Sequence, residues 1–109
     1  MYISLTLITF NVIISLMIKT FADKEAEKLF RRTFSRKLPA NVQLVARMRL
    51  EILDAAEVLQ DLRIPPGNHL EKLSGNRAGQ YSIRINDQWR ICFVWHQENA
   101  YDVEIVDYH

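Results

Sequence analysis

The alternation between Tyr81 and Trp95 constrains this chain more than any other feature. Tyr81, Ile83 and Ile85 alternate with Ser82 and Arg84, the polar pair Asn86-Asp87 follows, and Trp89, Ile91, Phe93 and Trp95 then alternate with Arg90, Cys92 and Val94. A period of two interrupted by turn-forming residues predicts a β-hairpin. Residues i and i+2 of a strand share a face, so one side of the hairpin is apolar and the other carries Arg84 and Arg90. We therefore expect a sheet with its apolar side on the core and an open, cationic opposite side.

The flanking segments supply the rest of the domain. Further strands are expected at about residues 18–21, 69–73 and 102–108, with turns at 75–79, 86–87 and 97–100. Ala22, Ala26, Leu29, Phe30 and Phe34 recur at helical spacing behind Asp23, a suitable N-cap. Pro39 then ends that helix and opens a second. The stripe of the second helix is Val42, Val45, Ala46, Arg49, Ile52, Leu53, Ala56 and Leu59, in which Arg49 should snorkel or pair with an acid. Pro65-Pro66-Gly67 close that region as a loop. Two helices followed by a meander read as an α+β domain, with the N-terminal helices packed on one face of a small, mostly antiparallel sheet.

Residues 1–16 are unlike the remainder. They carry no charge and are rich in β-prone residues, yet Ser4, Thr6, Thr9, Asn11 and Ser15 break the run short of a transmembrane length. A basic leader and a small-residue cleavage pattern are both missing from it. We read this stretch as an upstream-start extension and residues 17–109 as the functional domain.

Charge is distributed unevenly. Residues 19–49 hold nine Lys or Arg against three acids although the whole chain has a formal net charge of only +1, a pattern that suits an acidic or polyanionic partner. Cys92, the only cysteine, sits in an apolar strand and reads as a buried core thiol, in keeping with a reducing compartment. His69, His96 and His109 have neither cysteine partners nor a His-Glu-x-x-His pattern, so no metal site and no cofactor is expected. Gly75 and Gly79 flank a turn between strands and do not form a phosphate loop.

The run His69-Leu70-Glu71-Lys72-Leu73-Ser74-Gly75, the stretch from Gly79 through Tyr81, Trp89 and Arg90 to Phe93, and the terminal Asp107-Tyr108-His109 together resemble HigB-type toxins of the RelE superfamily. The resemblance covers about residues 17–109. It implies the RelE-like α+β fold and a toxin of a type II toxin–antitoxin pair, cytoplasmic and not membrane-bound. The implied activity is that of a ribosome-dependent endoribonuclease that cleaves translated mRNA and so stops translation. Its partners would be the ribosome and mRNA, a HigA-type helix-turn-helix antitoxin and, through that antitoxin, operator DNA.

Carried over residue by residue, the resemblance puts the catalytic set at His69, Lys72, Arg90, Asp107, Tyr108 and His109, with Lys72, Arg84, Arg90 and Tyr108 contacting RNA. These side chains match the reaction. RNA is cut when a ribose 2′-OH attacks the adjacent phosphate, so a proton must leave, phosphorane charge must be stabilised and the 5′ oxygen must be protonated. Histidine exchanges protons near neutral pH, which makes His109 the leading proton-transfer group with His69 beside it. Arg90 and Lys72 suit the phosphate, Tyr108 a base or phosphate, and Asp107 the orientation of His109. Consecutive strand residues point to opposite faces, so Asp107, Tyr108 and His109 converge only if the terminus bends. One branch of the superfamily poisons DNA gyrase without catalysis, and an inactive RNA-binding module is a third reading. The joint presence of His69, Lys72, Arg90 and His109 favours the ribonuclease.

Overall fold

In the computed structural model, which describes residues 17–108, the expected hairpin forms the centre of a four-stranded antiparallel sheet. The strands are β1 (Glu71–Lys72), β2 (Gln80–Arg84), β3 (Trp89–His96) and β4 (Asn99–Asp107), in the spatial order β1-β2-β3-β4. Ile83 pairs with Ile91 and Tyr81 with Phe93, while Ser82 pairs with Cys92 and Arg84 with Arg90. The register therefore separates the two faces as the alternation requires. The turn between β2 and β3 is closed by Asn86, whose Oδ1 accepts from the backbone N–H groups of Gln88 (2.9 Å) and Trp89 (2.8 Å).

Two helices cover the apolar face, so the α+β expectation holds. Helix α1 (Lys24–Phe30) begins at Asp23, whose carboxylate accepts from Glu25 N at 2.9 Å and also from Ile105 N of β4 at 3.2 Å. One side chain thus caps the helix and ties it to the sheet. Helix α2 (Ala40–Ala55) lays Val42, Ala46, Leu50 and Leu53 against Ile83, Ile91, Phe93 and Val103. Arg49 of its stripe finds no acid among the described residues and donates instead to the carbonyl of Arg84 at 3.1 Å.

Several boundaries differ from the sequence reading, each for a local reason. Helix α1 stops before Phe34 because Arg32 adopts a left-handed conformation, φ 64°, with Arg32 N bonded to Leu29 O and Thr33 N to Lys28 O. This is a Schellman close with arginine where glycine is usual. Phe34 is consequently exposed. Helix α2 ends at Ala55, short of Leu59, because Asp61 accepts from the N–H groups of Glu57 and Val58 and starts a separate 3₁₀ turn, Leu59–Arg63. Strand β4 starts at Asn99, since Gln97 and Glu98 both take positive φ and make a two-residue hairpin turn.

The expected strand at residues 18–21 appears as two isolated parallel bridges to β4, Ile18 with Ala100 and Phe21 with Val103. Between them Asp102 bulges outward with φ 53°, and its N–H donates to Thr20 Oγ1 at 2.8 Å. The parallel segment covers the β4 edge. The extension expected at residues 1–16 and the catalytic role expected of His109 lie outside the described residues.

Candidate active site

The second face of the sheet is polar but not open. Ser82, Cys92 and Arg90 form its floor, and all three are buried, Arg90 being only 7% exposed. The open cationic surface expected from alternation is thus corrected to a covered, charge-paired one. Alternation specifies which residues point away from the helices, whereas their exposure depends on what folds back over them.

Arg90 is oriented from several directions. Its Nε donates to Ser82 Oγ at 2.7 Å, its Nη2 donates to the backbone carbonyl of His69 at 2.5 Å, and Glu71 Oε1 lies 3.6 Å from Nη2. The Tyr108 ring lies over the guanidinium, 5.8 Å from the centroid to Cζ. The planar cation therefore has a fixed orientation, and a phosphate oxygen arriving there would displace the exposed Glu71 carboxylate.

His69 owes its position to the preceding 3₁₀ turn, Pro66–Asn68. Asn68 is fully buried and donates Nδ2 to the carbonyls of Leu62 (3.1 Å) and Ile64 (3.2 Å). Behind this anchor His69 takes a left-handed conformation, φ 44° and ψ 61°, which turns its carbonyl to Arg90 and leaves its side chain exposed. His69 thus precedes the strand rather than beginning it; β1 is confined to Glu71 and Lys72.

Arg77, Glu71 and Glu104 were not singled out from the sequence. Arg77 leaves the 3₁₀ turn Gly75–Arg77 and reaches across the sheet to Glu104 of β4 at 3.0 Å, with Gln80 Oε1 at 2.9 Å. The hydrogen bond that Arg77 donates to the Glu104 carboxylate raises the Arg77 pKa. Burial pushes the Cys92 thiol up, against the opposing pull of Arg77 and Arg90, so Cys92 has the character of a core thiol. Beside this pair, Arg77, Val106, Asp107 and Tyr108 line a cleft of about 420 Å³. Only the convergence of Arg77 and Glu104 across a separation of 27 residues marks them, and no local pattern carries that.

The candidate residues divide by face. Arg90, Tyr108 and the His69 carbonyl meet on the second face. Lys72 pairs with Tyr81 and Asp107 with Trp89, so both stand in register with the helix-side set, at the ends of short or terminal strands. Asp107 accepts from Gln88 Nε2 at 3.1 Å, which fixes it beside the β2–β3 turn. The Arg84 guanidinium is engaged by Asp87. Among the described residues, no group of His, Cys, Asp or Glu is arranged to hold a metal ion, and no helix is long and apolar enough to cross a membrane.

A family model described as the RelE-like toxin of the type II toxin–antitoxin system HigB matches residues 19–109. Similar proteins include Toxin HigB-1 of Vibrio cholerae, 45% identical over 76 residues, which are 69% of this chain and 80% of that protein. An uncharacterized protein of Haemophilus influenzae is 41% identical over 63 residues, 58% of this chain and 60% of its own. A protein named Endoribonuclease HigB, from Proteus vulgaris, is 32% identical over 93 residues, 85% of this chain and 100% of its own length.

Proposed function

This chain belongs to the HigB-like family, RelE-like toxins of type II toxin–antitoxin systems, and from that premise we propose that it is an endoribonuclease that cuts translated mRNA on the ribosome. The oriented guanidinium of Arg90, buried between Ser82 and the His69 carbonyl and lying against Tyr108, carries this reading on the structural side. A relative named as an endoribonuclease that aligns along its whole length supports it from the other.

The reaction follows from the chemistry of RNA. A ribose 2′ oxygen bonds to phosphorus as the bond to the 5′ oxygen breaks, leaving a cyclic phosphate and a free 5′ hydroxyl. Arg90 binds two phosphate oxygens as a planar fork, and Lys72 adds a mobile point charge from the sheet edge. Because Arg90 is held before substrate arrives, little reorganisation opposes stabilisation of the phosphorane. His109 and His69 move the two protons, Asp107 orients His109, and Tyr108 stacks on a base exposed by the ribosome. Arg84 contacts the RNA backbone. In the cytoplasm, a HigA-type helix-turn-helix antitoxin neutralises the toxin and connects the pair to operator DNA. Residues 17–109, which include the whole of the family match, are the active unit in this reading.

The test is inducible expression of the parent beside Arg90→Ala and His109→Ala, with growth and transcript 5′ ends followed together. New ends inside translated regions in the parent alone are the expected result. Growth arrest in all three without new ends would overturn the ribonuclease reading.

A further inference from the structure

The helical layer carries a second surface that the chemistry above does not use. Phe34, Leu44 and Met48 are 67%, 58% and 48% exposed, and Phe34 and Leu44 line a groove of about 300 Å³ floored by Leu29 between α1 and α2. Leu44 and Met48 are one helical turn apart, so Met48 extends the apolar strip along α2.

The groove is pre-formed. Gln43, on its wall, accepts from Ser35 N at 3.0 Å and donates to the carbonyls of Ser35 (2.7 Å) and Leu38 (2.8 Å), while Ser35 Oγ donates to the buried Glu25 carboxylate at 2.5 Å. The segment that presents Phe34 is thus pinned at both ends, and the exposure of Phe34 belongs to an ordered loop. Solvent-facing apolar side chains gathered at one place mark an interaction site when a charged rim surrounds them.

The rim is cationic. Arg32 and Arg47 line the groove, and Arg31, Arg36 and Lys37 lie on the connecting segment, all but the half-buried Arg47 exposed. Glu27 and Glu51 pair with Arg31 and Arg32 at 3.2 and 3.1 Å, and Arg47, Arg36 and Lys37 have no carboxylate within ion-pair distance among the described residues. Residues 1–16 of the same chain carry no charge and so offer nothing to these cations. RNA would use the cations, and Phe34 could stack on a base, but Leu44 and Met48 lack the ring faces on which single-stranded bases stack. An amphipathic polypeptide with acidic flanks uses both features, with apolar anchors at helical spacing entering the groove.

We infer that the α1–α2 groove is the docking site for an acidic, amphipathic segment of the antitoxin that this family implies. The inference rests on family membership and not on the ribonuclease reading. Leu44 and Met48 are the apolar anchors, and Arg47 with its neighbours sets orientation and association rate.

The test uses the full chain and the antitoxin encoded with it, in a purified binding titration beside a growth-rescue assay, with Leu44→Glu, Leu44→Ala and Arg47→Glu. Leu44 is a surface position, and thermal melting checks that each variant folds. Leu44→Glu should weaken antitoxin binding at least about tenfold, about 1.4 kcal/mol, and Leu44→Ala less, since alanine removes the anchor without placing a charge in the groove. Arg47→Glu should weaken binding chiefly at low salt. In cells Leu44→Glu should still arrest growth but lose rescue by the antitoxin. Binding within twofold of the parent in all three variants overturns the inference. So does retained antitoxin binding with loss of co-sedimentation with ribosomes, which would assign the groove to ribosomal RNA. If the parent fails to cut RNA yet binds antitoxin through Leu44, the ribonuclease reading falls and this inference stands.

Discussion

The two faces of one sheet are both buried, and they are buried by different physics. On the helix side Ile83, Ile91, Phe93 and Val103 pack against Leu50 and Leu53 with no exposed surface. On the other side Ser82, Cys92 and Arg90 lie under the His69 carbonyl, the Glu71 carboxylate, the Tyr108 ring and the Arg77–Glu104 bridge. Apolar burial is non-directional and stabilises roughly by area, whereas a buried cation is costly to desolvate and has to be matched partner by partner. The first face holds the domain together, and the second holds one guanidinium in a fixed orientation. Alternate residues of the same strands serve the two ends.

The sharpest contrast should come from Phe93. Phe93→Ala removes a fully buried ring that stacks on Tyr81 at 6.3 Å and meets Trp95 edge-on at 6.4 Å. A loss of about 3–5 kcal/mol in urea unfolding is expected, and a loss below about 1 kcal/mol would show that this face is not the main store of stability. Arg90→Ala should instead act on chemistry, lowering the cleavage rate by about 10²–10³-fold. Arg90→Lys should recover little of it, because the planar fork is lost. If cleavage per folded molecule stays at the parent level, the second face is structural only.

Glu104→Gln probes the cover of that face. The Arg77–Glu104 side chains are 31% and 28% exposed, so stability should change by about 1 kcal/mol or less. The buried Cys92 beneath should nevertheless react faster with a thiol reagent, followed in stopped flow. An unchanged labelling rate would mean that Arg77 does not close this face.

The smallest effects concern two acids of the helical side, and they have opposite signs. The hydrogen bond from Ser35 holds Glu25 below the ordinary carboxylate range. Its contribution to stability is therefore present above that range and lost as pH falls through the lowered value. Ser35→Ala should flatten the acid limb of a plot of stability against pH. Burial raises Asp54, which accepts from Ile18 N at 3.1 Å. Stability should fall as pH rises through the raised value, so Asp54→Asn, which keeps an acceptor, should gain most at neutral pH and nothing in acid. Parallel curves for parent and variants would remove both acids from the account.

Much of the fold was legible because it is local. The hairpin, the Asp23 cap and the order of two helices before a meander all follow from periods and turn chemistry within a few residues. Apart from the end of α2, which Asp61 sets, the missed boundaries share one cause. Arg32, His69, Gln97, Glu98 and Asp102 all adopt positive φ without being glycine, and a rule keyed to glycine and proline passes over them. Of the site, the residue types and their motif were readable, and Arg90 and Tyr108 do meet, whereas His69 brings only its backbone carbonyl to Arg90 and leaves its imidazole exposed. Arg77 and Glu104 were not, since their significance lies in reaching each other across the sheet.

The sequence by itself determined which side of each strand a residue occupies, because a two-residue period leaves no freedom once the register is set. It also determined family membership, through motifs that act together. What covers each side was decided only in three dimensions. Arg90 meets a carbonyl 21 residues away, and Phe34 stays outside the core because one arginine turns the chain. Burial depends on segments distant in the chain arriving over a surface, and a local pattern contains the surface but not the arrival.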